Sequence, residues 1–262
     1  MMSRSEILEN LNTVWDSLIE LGQRLTPEQW ATPALCPGWT VTSVYVHLTA
    51  VEEAMVGWFP AAADSPPPFE EIVARHRELS DLDAATVLAR FIAATNRRRA
   101  ELAKITETEW ESPCLTPIGP GTYGSFIDIR VFDCWVHERD VRVPLGIAGD
   151  DGGAPANLAL NTVERSLGYI VGKRAGFSEG QSVVFNVTGP VTRRMCVEVA
   201  GRAQLVDEIV EPSVTVSTDS LTLMLLACGR IDPEEPIADG RISWIGDDEL
   251  GGRLARNMGF TI

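Results

Sequence analysis

A carboxylate and an imidazole lie four positions apart in the segment 128–140 of the chain. If this segment is a helix, Asp133 and His137 share one face, because residues i and i+4 are neighbours on a helix surface. Both side chains can direct lone pairs toward one point, so together they provide half of a metal site. Taken alone, such a pair is more often a solvent-facing hydrogen-bonded pair than a set of ligands.

A third candidate ligand, His47, lies in a different apolar segment. The apolar residues that share its helical face are Val44, Leu48, Val51, Met55 and Trp58. His47 therefore points toward the core, either as a neutral histidine satisfied by a hydrogen bond or as a metal ligand that reaches another helix. The remaining histidine, His76, lies in the charged segment 70–77 and is interpreted as solvated surface.

Amphipathic periodicity predicts four long helices in the first half of the chain. They span 5–25, about 40–59, 81–107 and the segment 128–140. The arginine run 97–99 is assigned to the solvent-facing side of the third helix, and the proline- and glycine-rich stretch 112–124 is predicted as a loop. Four helices joined by loops predict a bundle, in which metal sites form from side chains on facing helices. With His47, Asp133 and His137 as ligands, the site would keep one position open, as catalytic zinc sites do.

The composition changes after residue 148, where the glycine-rich stretch 149–153 is typical of a linker. Alternating apolar residues predict strands at 182–188, 195–199, 214–218 and 241–245. Helices are predicted at 158–175, at about 220–226 and at 247–258. The predicted fold class is therefore α+β, with a four-helix bundle over 1–148 followed by a small α+β domain over 149–262.

Composition and charge narrow the classes of function. The chain has 262 residues, 45% of them hydrophobic, and a net charge of −15. This charge disfavours nucleic acids and anionic membranes, which need basic surface, so small molecules and proteins are left as partners. The chain lacks an apolar run of about twenty residues and a signal-peptide core, so no membrane span is predicted. The five dispersed cysteines form no Cys-x-x-Cys pair, which favours a cytoplasmic protein over a disulfide framework or a cysteine-bound zinc.

The chain resembles the mycothiol-dependent maleylpyruvate isomerase family over most of its length. In the first half, the resemblance lies in the run Cys36-Pro37-Gly38-Trp39-Thr40-Val41, in His47, and in the late helix with Asp133, His137 and Asp140. In the second half, it lies in the segments 225–230 and 240–247. The resemblance implies a DinB-like four-helix metal-binding domain followed by a domain similar to sterol carrier proteins.

The resemblance also implies the ligands and the cofactors. His47, Asp133 and His137 match the positions of the family's three zinc ligands, although the family pattern has glutamate where this chain has Asp133. Aspartate ligates zinc but is one methylene shorter, so helix spacing or denticity must adjust. The implied reaction begins with the sulfur of mycothiol at the open position of zinc, or of another divalent metal, which favours the nucleophilic thiolate. Mycothiol use would place the source among actinobacteria.

Two further residues are candidates for catalytic roles. Asp140 lies about one turn beyond His137, where it can orient a ligand histidine, and the alternative is an exposed helix carboxylate. Arg230, in the second half, can hold a substrate carboxylate in a bidentate pair, and the alternative is a surface arginine. Cys36 and Trp39 are interpreted as packing residues, since Cys36 has no evident partner base.

Three functional hypotheses follow. The first is a zinc-dependent enzyme that uses mycothiol, of the isomerase or S-transferase class, on a small electrophilic substrate. An isomerase would add the thiolate to a conjugated double bond, allow rotation and release it, whereas a transferase would displace a leaving group or leave the sulfur attached. The second hypothesis is a non-enzymatic protein that binds a small ligand and has a structural metal or none. The third is metal-dependent hydrolysis by a zinc-bound hydroxide.

Overall fold

A computed structural model of the protein describes residues 3–261. The described residues form two compact units, one up to Gly149 and one from Asp150 onward. The helices of the first unit are α1 (Arg4–Arg24), α2 (Pro27–Trp30), α3 (Val41–Met55), α4 (Phe69–Ser80), α5 (Ala84–Leu102), α6 (Glu107–Trp110) and α7 (Tyr123–Leu145), and its strands are β1 (Pro113–Thr116) and β2 (Gly119–Thr122). The helices of the second unit are α8 (Ala154–Tyr169), α9 (Ser220–Ala227), α10 (Glu234–Ala238) and α11 (Asp248–Arg256), and its strands are β3 (Ser182–Thr188), β4 (Arg193–Ala200), β5 (Arg202–Val206), β6 (Val214–Asp219) and β7 (Ile242–Gly246). Among residues 3–261, no helix is both long enough and apolar enough to cross a membrane.

Side-chain caps begin three long helices of the first unit. Ser3, Thr40 and Thr122 stand directly before α1, α3 and α7, and each accepts a hydrogen bond from a backbone N–H three residues later. Such a cap satisfies a donor that the first helical turn leaves without a partner. Helix α3 packs against α4, α5 and α7, and α1 packs against α5 and α7. The predicted helical bundle is confirmed.

Large buried side chains fill the space between these helices. The fully buried ones include Trp15, Leu18, Tyr45, Leu48, Phe91 and Tyr123. The Tyr45 hydroxyl donates to the Leu18 carbonyl at 2.6 Å, so the ring lies in the core with its polar group satisfied. Helix α3, which carries Tyr45 and Leu48, is thus held at the centre of the first unit.

Three predictions for the first unit differ from the structure in their bounds. Helix α3 ends at Met55 instead of near residue 59, because the chain turns at Gly57 with φ +73°. Helix α5 spans Ala84–Leu102 rather than 81–107. The predicted loop 112–124 contains the β1–β2 hairpin and the first residues of α7. Helix α4 was not predicted, because its segment is rich in charged residues and follows a run of prolines, and nearly all of its side chains are exposed or half-buried.

The second unit is built on one five-stranded sheet in the order β5-β4-β3-β6-β7. Strands β3 and β6 run parallel, and the other neighbours are antiparallel. The four predicted strands correspond to β3, β4, β6 and β7. Strand β5 was not predicted, because it follows a tight turn at Gly201 and none of its side chains is fully buried. The α+β fold class is confirmed, and the assignment of domain roles to 1–148 and 149–262 remains a prediction.

The start of α7 depends on a close approach between a glycine and a buried aromatic ring. Gly124 lies in the first turn of α7, where an added Cβ would overlap the indole of Trp110, which is 5% exposed. We expect Gly124→Ala to lower the free energy of unfolding by about 1–3 kcal/mol, because a close-packed core resists such overpacking. Urea denaturation measures the change. Gly259→Ala is the control, since its added Cβ would meet its nearest atom at 3.8 Å, and equal destabilisation by both substitutions would contradict the prediction.

Candidate metal centre

The three predicted ligands converge between two packed helices. His47 lies in α3, and Asp133 and His137 lie one turn apart in α7. His47 Nε2 is 3.5 Å from Asp133 Oδ2, and His137 Nε2 is 3.6 Å from Asp133 Oδ1. One ligand atom from each residue lies within 4.8 Å of the others. The packing of α3 on α7 therefore brings together the residues that the sequence analysis proposed as ligands.

The donor set and its spacing fit a zinc-type ion. Nitrogen and oxygen ligands bind zinc at about 2.0–2.1 Å in tetrahedral geometry, which places ligand atoms about 3.3 Å apart. The observed separations of 3.5 and 3.6 Å, each to a different oxygen of Asp133, are close to that value, and with one atom per residue the three ligand atoms lie within 4.8 Å of one another. In addition, His47 Nε2 is a buried atom that has no hydrogen-bond partner among residues 3–261. A buried polar atom without a partner is costly, and a cation at this position would satisfy it.

A buried carboxylate orients one of the two imidazoles. His137 Nδ1 lies 2.8 Å from Asp140 Oδ2, and Asp140 is 0% exposed. Because an ionised carboxylate only accepts hydrogen bonds, Nδ1 carries the proton and Nε2 keeps its lone pair. The alternative of an exposed helix carboxylate at Asp140 is wrong, since its helical face lies in the core. Its assignment as a catalytic residue remains a prediction.

The protonation of the cluster suits ligation. Burial lowers the pKa of His47, and its contact with Asp133 offsets this only in part, so the imidazole is neutral at neutral pH. Burial raises the pKa of Asp133, but the adjacent guanidinium of Arg130 is the largest of the influences that outweigh burial and hold that pKa well below its ordinary value. A neutral imidazole and an ionised carboxylate are the forms that bind a cation.

A buried network of charges lies beside the cluster. Arg130 donates to Glu52 Oε1 from Nε at 3.1 Å and from Nη2 at 2.7 Å, and it also pairs with Asp133. Arg98 Nε lies 3.8 Å from Glu52 Oε2, and Arg98 Nη2 donates to the Tyr123 hydroxyl at 3.0 Å. The prediction that Arg98 faces solvent is wrong, because its side chain is 2% exposed. Glu52 was not predicted as a residue of the site. Its position within the apolar helix α3 was the sequence feature that indicates a buried carboxylate.

A single tryptophan contacts all three histidines of the chain. The Trp39 ring is nearly parallel to that of His137, at 7° and 5.6 Å between centroids. The Trp39 centroid also lies 5.3 Å from that of His47 and 6.3 Å from that of His76. His76, which was predicted as solvated surface, is half-buried beside this ring, and Trp39 itself is half-buried rather than a core residue.

The turn that carries Trp39 is hydrogen-bonded to α7, the helix that carries Asp133 and His137. The Trp39 N–H donates to the Cys36 carbonyl at 3.1 Å, and Gly38 supports the turn with φ +80°. The Leu35 N–H donates to the Asp140 carbonyl of α7 at 3.0 Å. Cys36 is 8% exposed, in line with its interpretation as a packing residue. The segment before α3 is thus fixed to α7 at the position that orients His137.

Arg230 belongs to the second unit. It follows the end of α9, is half-buried, and donates from Nη1 to the Cys228 carbonyl at 2.7 Å. Its role toward a substrate carboxylate remains a prediction.

Two family models match the chain. The model described as the mycothiol maleylpyruvate isomerase N-terminal domain matches residues 11–142, and the MDMPI C-terminal domain matches residues 157–253. The chain belongs to the mycothiol maleylpyruvate isomerase family. The first match includes His47, Asp133 and His137, and the family resemblance inferred from the sequence is confirmed.

Individual proteins are similar to the chain at low sequence identity. An uncharacterised protein of Mycobacterium tuberculosis, present in strains H37Rv and CDC 1551, is 27% identical over 160 residues. The match covers 56% of this chain and 59% of that relative, so the chain spans little more than half the length of the relative. The crystal structure of a mycothiol-dependent maleylpyruvate isomerase matches with a TM-score of 0.59 at 17% identity, covering 88% of this chain and 90% of that one. At this identity the likeness concerns the fold.

Proposed function

We propose that the protein is a zinc-dependent enzyme that uses mycothiol, of the isomerase or S-transferase class, and that acts on a small electrophilic substrate. The observation that carries the proposal is the convergence of His47, Asp133 and His137 with their ligand atoms within 4.8 Å. Catalytic zinc sites typically have three protein ligands and leave the fourth position for water or substrate. Membership of the mycothiol maleylpyruvate isomerase family supports mycothiol as the external ligand.

The departure from the family's glutamate is compatible with this proposal. Asp133 is one methylene shorter, yet its two oxygens lie 3.5 and 3.6 Å from the Nε2 atoms of His47 and His137. In this chain the aspartate therefore reaches both imidazoles. Asp140 holds the lone pair of His137 toward the cluster, and the Trp39 ring restricts rotation of the same imidazole.

The chemistry would start from the thiol. Bound zinc would lower the pKa of a coordinating thiol and so supply the nucleophilic thiolate. An isomerase of this kind adds the sulfur reversibly to a conjugated double bond, whereas a transferase leaves the sulfur attached to the product. We further propose Arg230 as a group that pairs with a substrate carboxylate, because a guanidinium can bind both carboxylate oxygens.

The test combines metal content with turnover. Elemental mass spectrometry of the purified protein is expected to find near-stoichiometric zinc. Incubation with mycothiol and a panel of conjugated cis-alkenes and alkylating electrophiles is expected to give either the trans isomer or a mycothiol adduct. Protein that holds no metal and takes up no added zinc would refute the proposal. Zinc-loaded protein that converts none of the panel would favour the non-enzymatic ligand-binding alternative.

The orientation of His137 by Asp140 leads to a quantitative expectation. Asp140→Asn keeps the size of the side chain and a hydrogen-bond acceptor, but removes the negative charge behind the ligand imidazole. We expect zinc affinity to fall about 10- to 100-fold, the usual effect of losing such a partner. Competition with a chromophoric chelator measures this. Asp16→Asn is the control, because Asp16 is 69% exposed and pairs with Arg99 away from the cluster, and equal losses in both variants would speak against the orienting role.

A further inference from the structure

One oxygen of the candidate ligand Asp133 already has a cationic partner. Arg130 Nη1 pairs with Asp133 Oδ2, one helical turn away on α7. The other oxygen, Oδ1, lies 3.6 Å from His137 Nε2, and Oδ2 lies 3.5 Å from His47 Nε2, so both oxygens border the cluster. A carboxylate can bind a cation through one oxygen or through both. The guanidinium at Oδ2 competes directly with binding of a cation through both oxygens.

Arg130 is itself held in place by a residue of the opposite helix. Glu52 of α3 accepts two hydrogen bonds from Arg130, at 3.1 and 2.7 Å, and the two side chains are 2% and 6% exposed. A guanidinium presents its donors in a rigid planar fork, so the two bonds to Glu52 fix the direction of Nη1. The position of the Asp133 carboxylate is therefore set from α3 as well as from α7.

We propose that Arg130, held by Glu52, is a positioning residue that limits Asp133 to ligation through a single oxygen and so keeps one coordination position available for an external anion. The inference rests on the proposed metal site and deepens it.

The charges of the network favour an anionic external ligand. Asp133, Arg130, Glu52 and Arg98 alternate in sign, and Arg98 also pairs with Glu101, so each carboxylate of this network contacts a guanidinium. The charge of Asp133 is thus shared with a cation before any metal binds. A divalent ion beside such a carboxylate keeps more of its own charge than it would beside an unpaired one. That residual charge attracts a thiolate more strongly than a neutral water.

The experiment replaces zinc with cobalt(II), whose visible absorption is stronger in four-coordinate than in five-coordinate sites. Two variants test the restraint that the Glu52–Arg130 pair places on Asp133. Arg130→Lys keeps the positive charge but lacks the planar guanidinium, and Glu52→Gln/Arg130→Gln removes both charges of the pair. The control is Glu53→Gln/Arg90→Gln, which removes a half-buried ion pair between α3 and α5, next to Glu52 in the sequence. Mycothiol is titrated into each cobalt-loaded protein, and the sulfur-to-cobalt charge-transfer band gives its dissociation constant.

We expect both Arg130 variants to bind cobalt, to absorb more weakly per cobalt ion, and to bind mycothiol at least about 10-fold more weakly than the wild type and the control. Folded, cobalt-loaded variants with the wild-type spectrum and mycothiol affinity would overturn this inference alone. Folded variants that no longer bind cobalt would also overturn it, because the Glu52–Arg130 pair would then be needed for metal binding itself. Wild-type protein that takes up no cobalt or zinc would overturn the proposed function together with the inference. Arg130→Lys retains a buried cation beside Glu52, so it supplies the test if the double variant does not fold.

Discussion

Replacing His137 with alanine is expected to weaken zinc binding by about two to three orders of magnitude. Four-ligand zinc sites in small peptides bind with about 10–16 kcal/mol, so each ligand accounts for about 2.5–4 kcal/mol, which corresponds to a factor of about 60 to 700. His47→Ala removes the ligand from the opposite helix and is expected to have an effect of the same size. Zinc content after dialysis, measured by elemental mass spectrometry, and chelator competition give the two affinities.

The chain contains a matched control for these substitutions. His76 also lies beside Trp39, at 6.3 Å between ring centroids, but it is not part of the ligand cluster. His76→Ala is therefore expected to keep near wild-type zinc affinity. If all three histidine variants lost zinc equally, the effect would come from disturbance around Trp39 and not from loss of a ligand.

Replacing Glu52 with alanine is expected to lower the free energy of unfolding of the first unit by about 3–5 kcal/mol. Glu52 is 1% exposed and pairs with Arg130 and Arg98, which are 5% and 2% exposed. Its removal leaves buried guanidinium charge without its carboxylate, and breaking a buried pair on one side is strongly destabilising. Urea unfolding of the metal-free protein, followed by tryptophan fluorescence, reports on this unit because six of the seven tryptophans precede residue 149.

The next residue along the chain provides the comparison. Glu53 pairs with Arg90, and their side chains are 17% and 25% exposed. Ion pairs with access to solvent contribute about 0–1 kcal/mol, so Glu53→Ala is expected to change stability by no more than that. Similar losses for Glu52→Ala and Glu53→Ala would mean that the buried network contributes no more than a surface pair.

The parts of the fold that the sequence predicts are those with a regular apolar period. Strand β3 matches the prediction 182–188 because its buried side chains form a nearly continuous apolar run. Helix α4 was missed because its segment is rich in charged residues, and strand β5 was missed because it has only five residues and none of them is fully buried. Their conformation is set by neighbours that only the folded chain brings close.

The residues of the candidate site also fall into those that the sequence predicts and those that it does not. The spacing of Asp133 and His137 along α7 is local, so a helix alone makes them neighbours, and His47 was a candidate because it lies in an apolar helix. The Glu52–Arg130 pair joins residues 78 positions apart and has no local signature. Charged residues in a sequence are most often solvated, and for this reason the arginine run 97–99 was predicted to face solvent. In the structure Arg97 is exposed but Arg98 is buried.

The candidate ligands come from helices that lie far apart along the chain, since His47 and His137 are 90 positions apart. An unfolded chain does not hold these residues together, so an ion bound by both helices acts as a removable crosslink that belongs to the native state only. At a free ion concentration 100 times the dissociation constant, such binding adds about 2.7 kcal/mol to folding stability and lowers the unfolded fraction about a hundred-fold. The half-life of this protein in a cell would then follow the supply of metal, and metal starvation would deplete the protein through degradation as well as through loss of its cofactor.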